Sequence, residues 1–173
     1  MTSNPHALKE IVVKAYAARY GIETFVETGT FRGAMVQAVI SSFKEIFSIE
    51  LDPMLHAAAR QQFASFSHIH ILDGHSAVRL GQLIEIIDKP TLFWLDAHYS
   101  GAGTARGNED TPILEELSII AAHPYPDVIV IDDARLFGEN GWPSLELIQN
   151  AINPARMLLT VEDDIIRLEP RQI

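Results

Sequence analysis

The chain contains no cysteine in 173 residues. That excludes a disulfide framework, a thiol nucleophile and any thiolate metal site, and it fits a reducing compartment. It also lacks long apolar runs; none approaches the ~20 residues needed to span a bilayer. Positive charge is scarce, with 13 Lys+Arg against 23 Asp+Glu and a formal net charge of -10. Without a basic cluster, neither duplex nucleic acid nor an anionic membrane surface is an expected partner. Residues 1–6 show neither the charged nor the apolar region of a signal peptide, so the expected location is cytoplasmic. The expected partner is a small molecule or another protein.

What is present is a globular composition: 47% hydrophobic and 21% charged residues. A chain of this length is expected to form one domain over 1–173 and to bury roughly 70% of its unfolded surface. Short apolar runs at 24–28, 45–50, 69–73, 91–96 and 128–132 each end in a polar or acidic residue. Runs apolar on both faces suit strands of a covered parallel sheet. Helical patterns fill the gaps, at 5–20, 33–43, 53–63, 76–87, 112–123 and 144–151. In the first of these, Leu8, Ile11, Val12, Ala15 and Tyr16 form the expected buried face, and Gly21 stops the helix. Asp52-Pro53 and Thr111-Pro112 read as N-caps followed by a first-turn proline. The segments 157–162 and 165–169 read as an antiparallel hairpin turning at Asp163-Asp164. The predicted class is therefore α/β, a doubly wound, mostly parallel sheet with a C-terminal antiparallel hairpin.

Residues 99–110 form a connection longer than the usual 2–6 residues between strand and helix. Its three glycines and its place after a strand's carboxyl end suggest a lid. Ligands of open α/β sheets bind at those carboxyl ends. Here they read Glu27-Thr28-Gly29-Thr30, Glu50-Leu51-Asp52, Asp73-Gly74-His75-Ser76, Asp96-Ala97-His98 and Asp132-Asp133. Asp52 and Ser76 have an alternative role as helix caps. The rest are more acidic than the fold requires.

The first turn, Glu27-Thr28-Gly29-Thr30-Phe31-Arg32-Gly33, departs from the dinucleotide fingerprint because Phe31 occupies the second glycine position. An acid at Glu27 disfavours a pyrophosphate and suits an amino group. Glu50 follows Gly29 by 21 residues, the spacing at which an acid ending the second strand accepts hydrogen bonds from ribose. Together these favour a nucleoside carrying a charged amino-acid tail.

The pattern Glu27-x-Gly29-x-x-x-Gly33, then Ile49-Glu50-Leu51-Asp52-Pro53, then the terminal hairpin, resembles the class I S-adenosylmethionine (SAM)-dependent methyltransferases across residues 24–169. The resemblance implies that Glu27, Thr28, Gly29, Thr30 and Gly33 surround the methionine moiety of SAM and that Glu50 holds the ribose. It places Asp73, Gly74 and His75 beside the adenine. The family often has Gly-Asp-Ser or Gly-Asp-Ala there; this chain has Gly74-His75-Ser76 after Asp73, so both Asp73 and His75 are candidates for the adenine edge.

A narrower pattern, Glu27-Thr28-Gly29-x-x-Arg32-Gly33 with Leu95-Asp96-Ala97-His98 and Ile131-Asp132-Asp133, resembles the metal-dependent O-methyltransferases of macrolide and aminocoumarin sugars. The resemblance implies Asp96, Asp132 and Asp133 as ligands of Mg²⁺ or Mn²⁺, with Asp96 also beside the cofactor. Independently of it, three carboxylates on neighbouring strand ends repel one another, which raises their pKa values or demands a cation. Oxygen ligands suit Mg²⁺ or Mn²⁺ better than zinc. His98 follows Asp96 by two residues, where strand alternation points both side chains one way. It is the candidate general base, with metal ligation as its alternative. Arg106 is read as solvated, Trp94 as core and Trp142 as a candidate lining of the acceptor pocket. His6, His56, His68, His70 and His123 are read as structural or exposed.

The expected activity is SAM-dependent O-methylation of a hydroxylated small molecule, assisted by a divalent cation. The alternatives are a metal-independent methyltransferase, a divalent-metal hydrolase without SAM, and a non-catalytic binding domain on the same fold. So short a chain draws its acceptor pocket from loops, the first helix or a neighbouring subunit, the last implying a homodimer.

Overall fold

Five short runs rich in β-branched and aromatic residues make the parallel part of a seven-stranded sheet: β1 (Thr24–Thr28), β2 (Glu45–Glu50), β3 (Ile69–Asp73), β4 (Thr91–Leu95) and β5 (Val128–Ile131). The computed structural model describes residues 6–96, 112–139 and 141–171. The hairpin β6 (Met157–Glu162) and β7 (Ile165–Pro170) completes the sheet. Its order is β3-β2-β1-β4-β5-β7-β6, with β7 antiparallel to both β5 and β6. Asp163 and Asp164 turn the hairpin with φ of 53° and 55°, the left-handed pair that a two-residue hairpin favours.

Among the described residues six α-helices cover the sheet: α1 (His6–Tyr20), α2 (Ala34–Val39), α3 (Pro53–Gln62), α4 (Ser76–Ile86), α5 (Ile113–Ile120) and α6 (Leu145–Ala151). Alternate strand residues face opposite layers. Phe25, Trp94, Val128 and Val130 pack with α1, α2 and α3 residues such as Val13, Val36 and Ala59. Val26, Phe93, Leu95, Ile129 and Ile131 pack with Leu80, Leu117 and Ile148 from the other three helices. Trp94 is core, 1% exposed, as its apolar strand predicts.

Asp52 caps α3 by accepting from the backbone N–H of Met54 and Leu55. Ser76 does not cap α4; it is the helix's first residue, and His75 precedes it without a side-chain cap bond. Two helices end earlier than their patterns suggest. Ser42 N–H donates to Val39 O and closes α2 in a tight turn, and His123 N–H donates to Ile120 O and does the same after α5. The buried face of α1 is also rotated from the predicted one. Val12, Val13, Tyr16 and Ala17 are buried, whereas Ile11 is 62% exposed. The stripe that faces the sheet therefore runs through Lys9, Val13, Tyr16 and Tyr20, with consequences for the site. Tyr16 and Tyr20 hydroxyls and the Arg19 guanidinium all donate to the Glu169 carboxylate of β7, at 2.9, 2.7 and 2.8 Å. They fasten the far end of α1.

His123 is structural, as the sequence reading expects. Its Nδ1 meets Asp127 Oδ2 at 2.6 Å and its Nε2 meets Ile87 O at 3.0 Å. Asp127 Oδ1 in turn accepts from Thr91 N–H, so the pair ties the amino-terminal ends of β4 and β5 together, away from the acidic rim. No described helix is long and apolar enough to cross a membrane.

Candidate active site

The strand order reverses between β1 and β4, and the carboxyl ends of those strands open the crevice where such sheets bind ligands. The register brings the predicted termini side by side: Thr28 pairs with both Ile49 and Leu95, Leu95 with Ile131, and Glu50 with Asp73. Glu27, Glu50, Asp96, Asp132 and Asp133 therefore share one rim.

The turn after β1 is shaped by left-handed residues, Gly29 (φ 84°), Phe31 (φ 49°) and Gly33 (φ 70°). Gly29 N–H donates to Ile49 O and Gly33 N–H to Thr30 O. Phe31, a non-glycine in that region, is held there because its N–H donates to Glu50 Oε2 at 2.7 Å. Glu50 Oε1 accepts from Asp52 N–H at 2.8 Å. Two backbone amides thus orient the Glu50 carboxylate, and each oxygen keeps a lone pair for a ribose hydroxyl. Gly33 must lack a side chain, since a Cβ there would lie 2.7 Å from the Phe63 ring.

Glu27 lies beneath this turn, 2% exposed. Ser48 donates to its Oε2 at 2.5 Å. That proton is committed, so Thr30 is the donor in the 2.6 Å contact with Ser48. Burial, then the charges of Asp96 and Glu50, push the Glu27 carboxyl up to about 8 against the opposing Ser48 bond. At the third strand end Asp73 is exposed and paired with Arg79 at 3.0 Å. Gly74 N–H donates to Glu50 O, and His75 stands at the start of α4.

Asp96, Asp132 and Asp133 converge, each offering one carboxylate oxygen within 4.8 Å of the others. Asp132 and Asp133 are 4% and 8% exposed, so both are buried. Burial and then the Asp96 charge push Asp132 up to about 6, although Lys9 works against them. Asp132 Oδ1 accepts from Asp133 N–H, and Oδ2 holds the Lys9 ammonium. Asp133 accepts from Arg135 at 2.7 Å, and Arg135 also binds Asp164 in the hairpin turn. The donor set is oxygen only, which suits Mg²⁺ or Mn²⁺.

Four participants escaped the sequence reading: Lys9, Ser48, Glu116 and Arg135. Glu116 on α5 is 1% exposed. Burial pushes its carboxyl up to about 7; the neighbouring Ser76 and Thr28 hydroxyls oppose this, and Glu115 and Asp96 reinforce it. Among the described residues, both Glu116 oxygens and Thr28 Oγ1 end without a hydrogen-bond partner. The signal for Glu116 was an acid in the apolar stripe Ile113, Leu117, Ile120. Lys9 was concealed by the misjudged face of α1. The predicted base His98, Arg106, Thr111 and the 99–110 connection lie outside the described residues.

No family model matches the chain, and no curated protein matches it. Solved structures do. An O-methyltransferase from Bacillus cereus, in complex with S-adenosylhomocysteine (SAH), is 14% identical with a TM-score of 0.68, over 98% of this chain and 84% of that one. A SAM-bound amino pentose methyltransferase from Micromonospora echinaspora, involved in calicheamicin biosynthesis, is 11% identical with a TM-score of 0.65, over 94% and 90%. An SAH-bound methyltransferase from Podospora anserina is 15% identical with a TM-score of 0.65, over 99% and 80%. The chain has the fold of the class I SAM-dependent methyltransferases. At these identities the likeness shows the fold alone, and the acidic rim carries the argument about chemistry.

Proposed function

We propose that the protein is a SAM-dependent methyltransferase acting on a hydroxyl of a small molecule, with a divalent cation held by Asp96, Asp132 and Asp133. The observation that carries this reading is the division of one acidic rim into two parts. Glu50, oriented by two backbone amides, suits the ribose of SAM. The three aspartates, converging within 4.8 Å, suit a hard cation. The SAM-bound and SAH-bound structures of the same fold support the first part.

In this reading Glu27 to Gly33 enclose the methionine moiety, and Asp73, Gly74 and His75 flank the adenine. Asp96, Asp132 and Asp133 would hold the cation, which would supply Lewis-acid activation of an acceptor hydroxyl. His98 would take the hydroxyl proton, and SAM would supply the methyl group to the acceptor oxygen and leave as SAH. Alignment of the two reactants by the rim supplies much of the rate. The work of this chain is to orient a nucleoside and an acceptor, and to keep excess negative charge ready for two cationic partners.

A second reading, metal-independent transfer, is favoured by Lys9 and Arg135, which already neutralise Asp132 and Asp133. Calorimetric titration separates the two. The proposal expects Mg²⁺ or Mn²⁺ to bind the wild-type protein, Asp132→Ala to abolish that binding, and SAH affinity to survive the substitution within a few-fold. SAH binding without any divalent-cation binding selects the metal-independent reading. A protein that binds neither rejects both.

A further inference from the structure

Lys9 has no place in the scheme above, yet it is the one basic side chain of α1 that reaches the rim. Its ammonium pairs with Asp132 Oδ2, and the two side chains are 14% and 3% exposed. Asp132 Oδ1 is already engaged by Asp133 N–H at 2.8 Å. Oδ2, which takes no backbone donor, is the oxygen better placed for a cation, and Lys9 holds it.

We propose that Lys9 is a displaceable resident cation, an internal competitor that a divalent ion must eject from Asp132 before the three aspartates can bind it. The inference rests on the metal-assisted reading. A divalent ion and an ammonium on the same carboxylate oxygen are like charges a few ångströms apart at a largely buried site, where screening is weak. Both cannot stay. The architecture allows the exchange without undocking the helix. Lys9 lies near the start of α1, whereas the helix is fastened at its other end by Tyr16, Arg19 and Tyr20 on Glu169. A lysine stem has four rotatable bonds and swings toward solvent at little cost. Two properties follow. With no divalent ion the aspartates are partly neutralised from within, which limits their mutual repulsion. Divalent affinity is set by competition and is lower than three buried carboxylates alone would give.

The test is Mn²⁺ binding, followed by electron paramagnetic resonance, to the wild-type protein, Lys9→Met and Lys9→Arg, with circular dichroism checking the fold of each. Lys9→Met should bind Mn²⁺ about tenfold tighter or more, as expected when a competing charge is removed, and Lys9→Arg should stay near wild type. A second measurement needs no variant: mass spectrometry of lysine acetylation in the wild-type protein with and without Mg²⁺. Acetylation of Lys9 should rise on loading while that of the exposed Lys44 and Lys89 stays constant. Equal or weaker Mn²⁺ binding by Lys9→Met, or Lys9 acetylation indifferent to Mg²⁺ in a protein that binds it, overturns the inference and leaves the metal reading intact. Absence of Mn²⁺ binding in all three proteins overturns both.

Discussion

Glu27 shows how a single buried acid couples the site to stability. Its carboxyl titrates near 8 in the folded chain because burial, Asp96 and Glu50 oppose ionisation; in the unfolded chain it behaves as an ordinary carboxyl near 4.5. The folded state therefore binds the proton more tightly. The stability this supplies is complete below about pH 4.5 and is lost as pH rises through about 8. Glu116, pushed up to about 7 mainly by burial, acts in the same direction. Thermal unfolding should accordingly move to lower temperature between pH 5.5 and 8.5, and Glu27→Gln should flatten that slope; an unchanged slope would contradict the assignment. Gly33 makes a second prediction. A Cβ there meets Phe63 at 2.7 Å on a backbone with φ of 70°, so Gly33→Ala should cost about 1–3 kcal/mol in denaturant unfolding. Both residues were legible in the sequence as members of the first turn. Their partners Ser48 and Phe63 were not, because those contacts join segments that only the sheet register brings together.

At the scale of elements, the strands were the most legible, since apolar runs with acidic ends carry their own boundaries. The helices were less so. Tight turns at Ser42 and His123 shortened α2 and α5, and local pattern does not reveal which carbonyl the chain will turn back upon. The face of α1 was misjudged because Ile11 scores as core by hydrophobicity, whereas Val13, Ala17 and the hydrogen-bonding Tyr16 pack better against the sheet. Glu169, at the end of the hairpin, is what selects that face. Tyr16 donates to it at 2.9 Å, and burial followed by this carboxylate pushes the phenol up to about 12. Tyr16→Phe removes a bond to a charged, buried acceptor. It should destabilise the protein by about 1.5–3 kcal/mol, measured by urea unfolding; a loss near zero would mean that Glu169 is satisfied without it.

For the whole molecule, the net charge is -10, and acids at the rim act on one another. Asp96 illustrates this, since its charge raises the pKa of Glu27, Glu116 and Asp132 alike. Such clustering works against the stability of the isolated chain and is the pattern by which functional sites are recognised. The rim was readable because a parallel sheet brings all its carboxyl ends to one edge, so five acidic termini in sequence become neighbours in space. Its counter-charges were not readable, since Lys9 arrives from a helix and Arg135 from a turn bound to the distant hairpin.

The most direct measurement is calorimetric titration of SAH into the wild-type protein and Glu50→Ala. The account predicts one SAH per chain for the wild type and an affinity lower by about tenfold or more in the variant, the worth of a charge-assisted hydrogen-bonding group. Equal affinity in the two proteins, or no binding to the wild type, would contradict it.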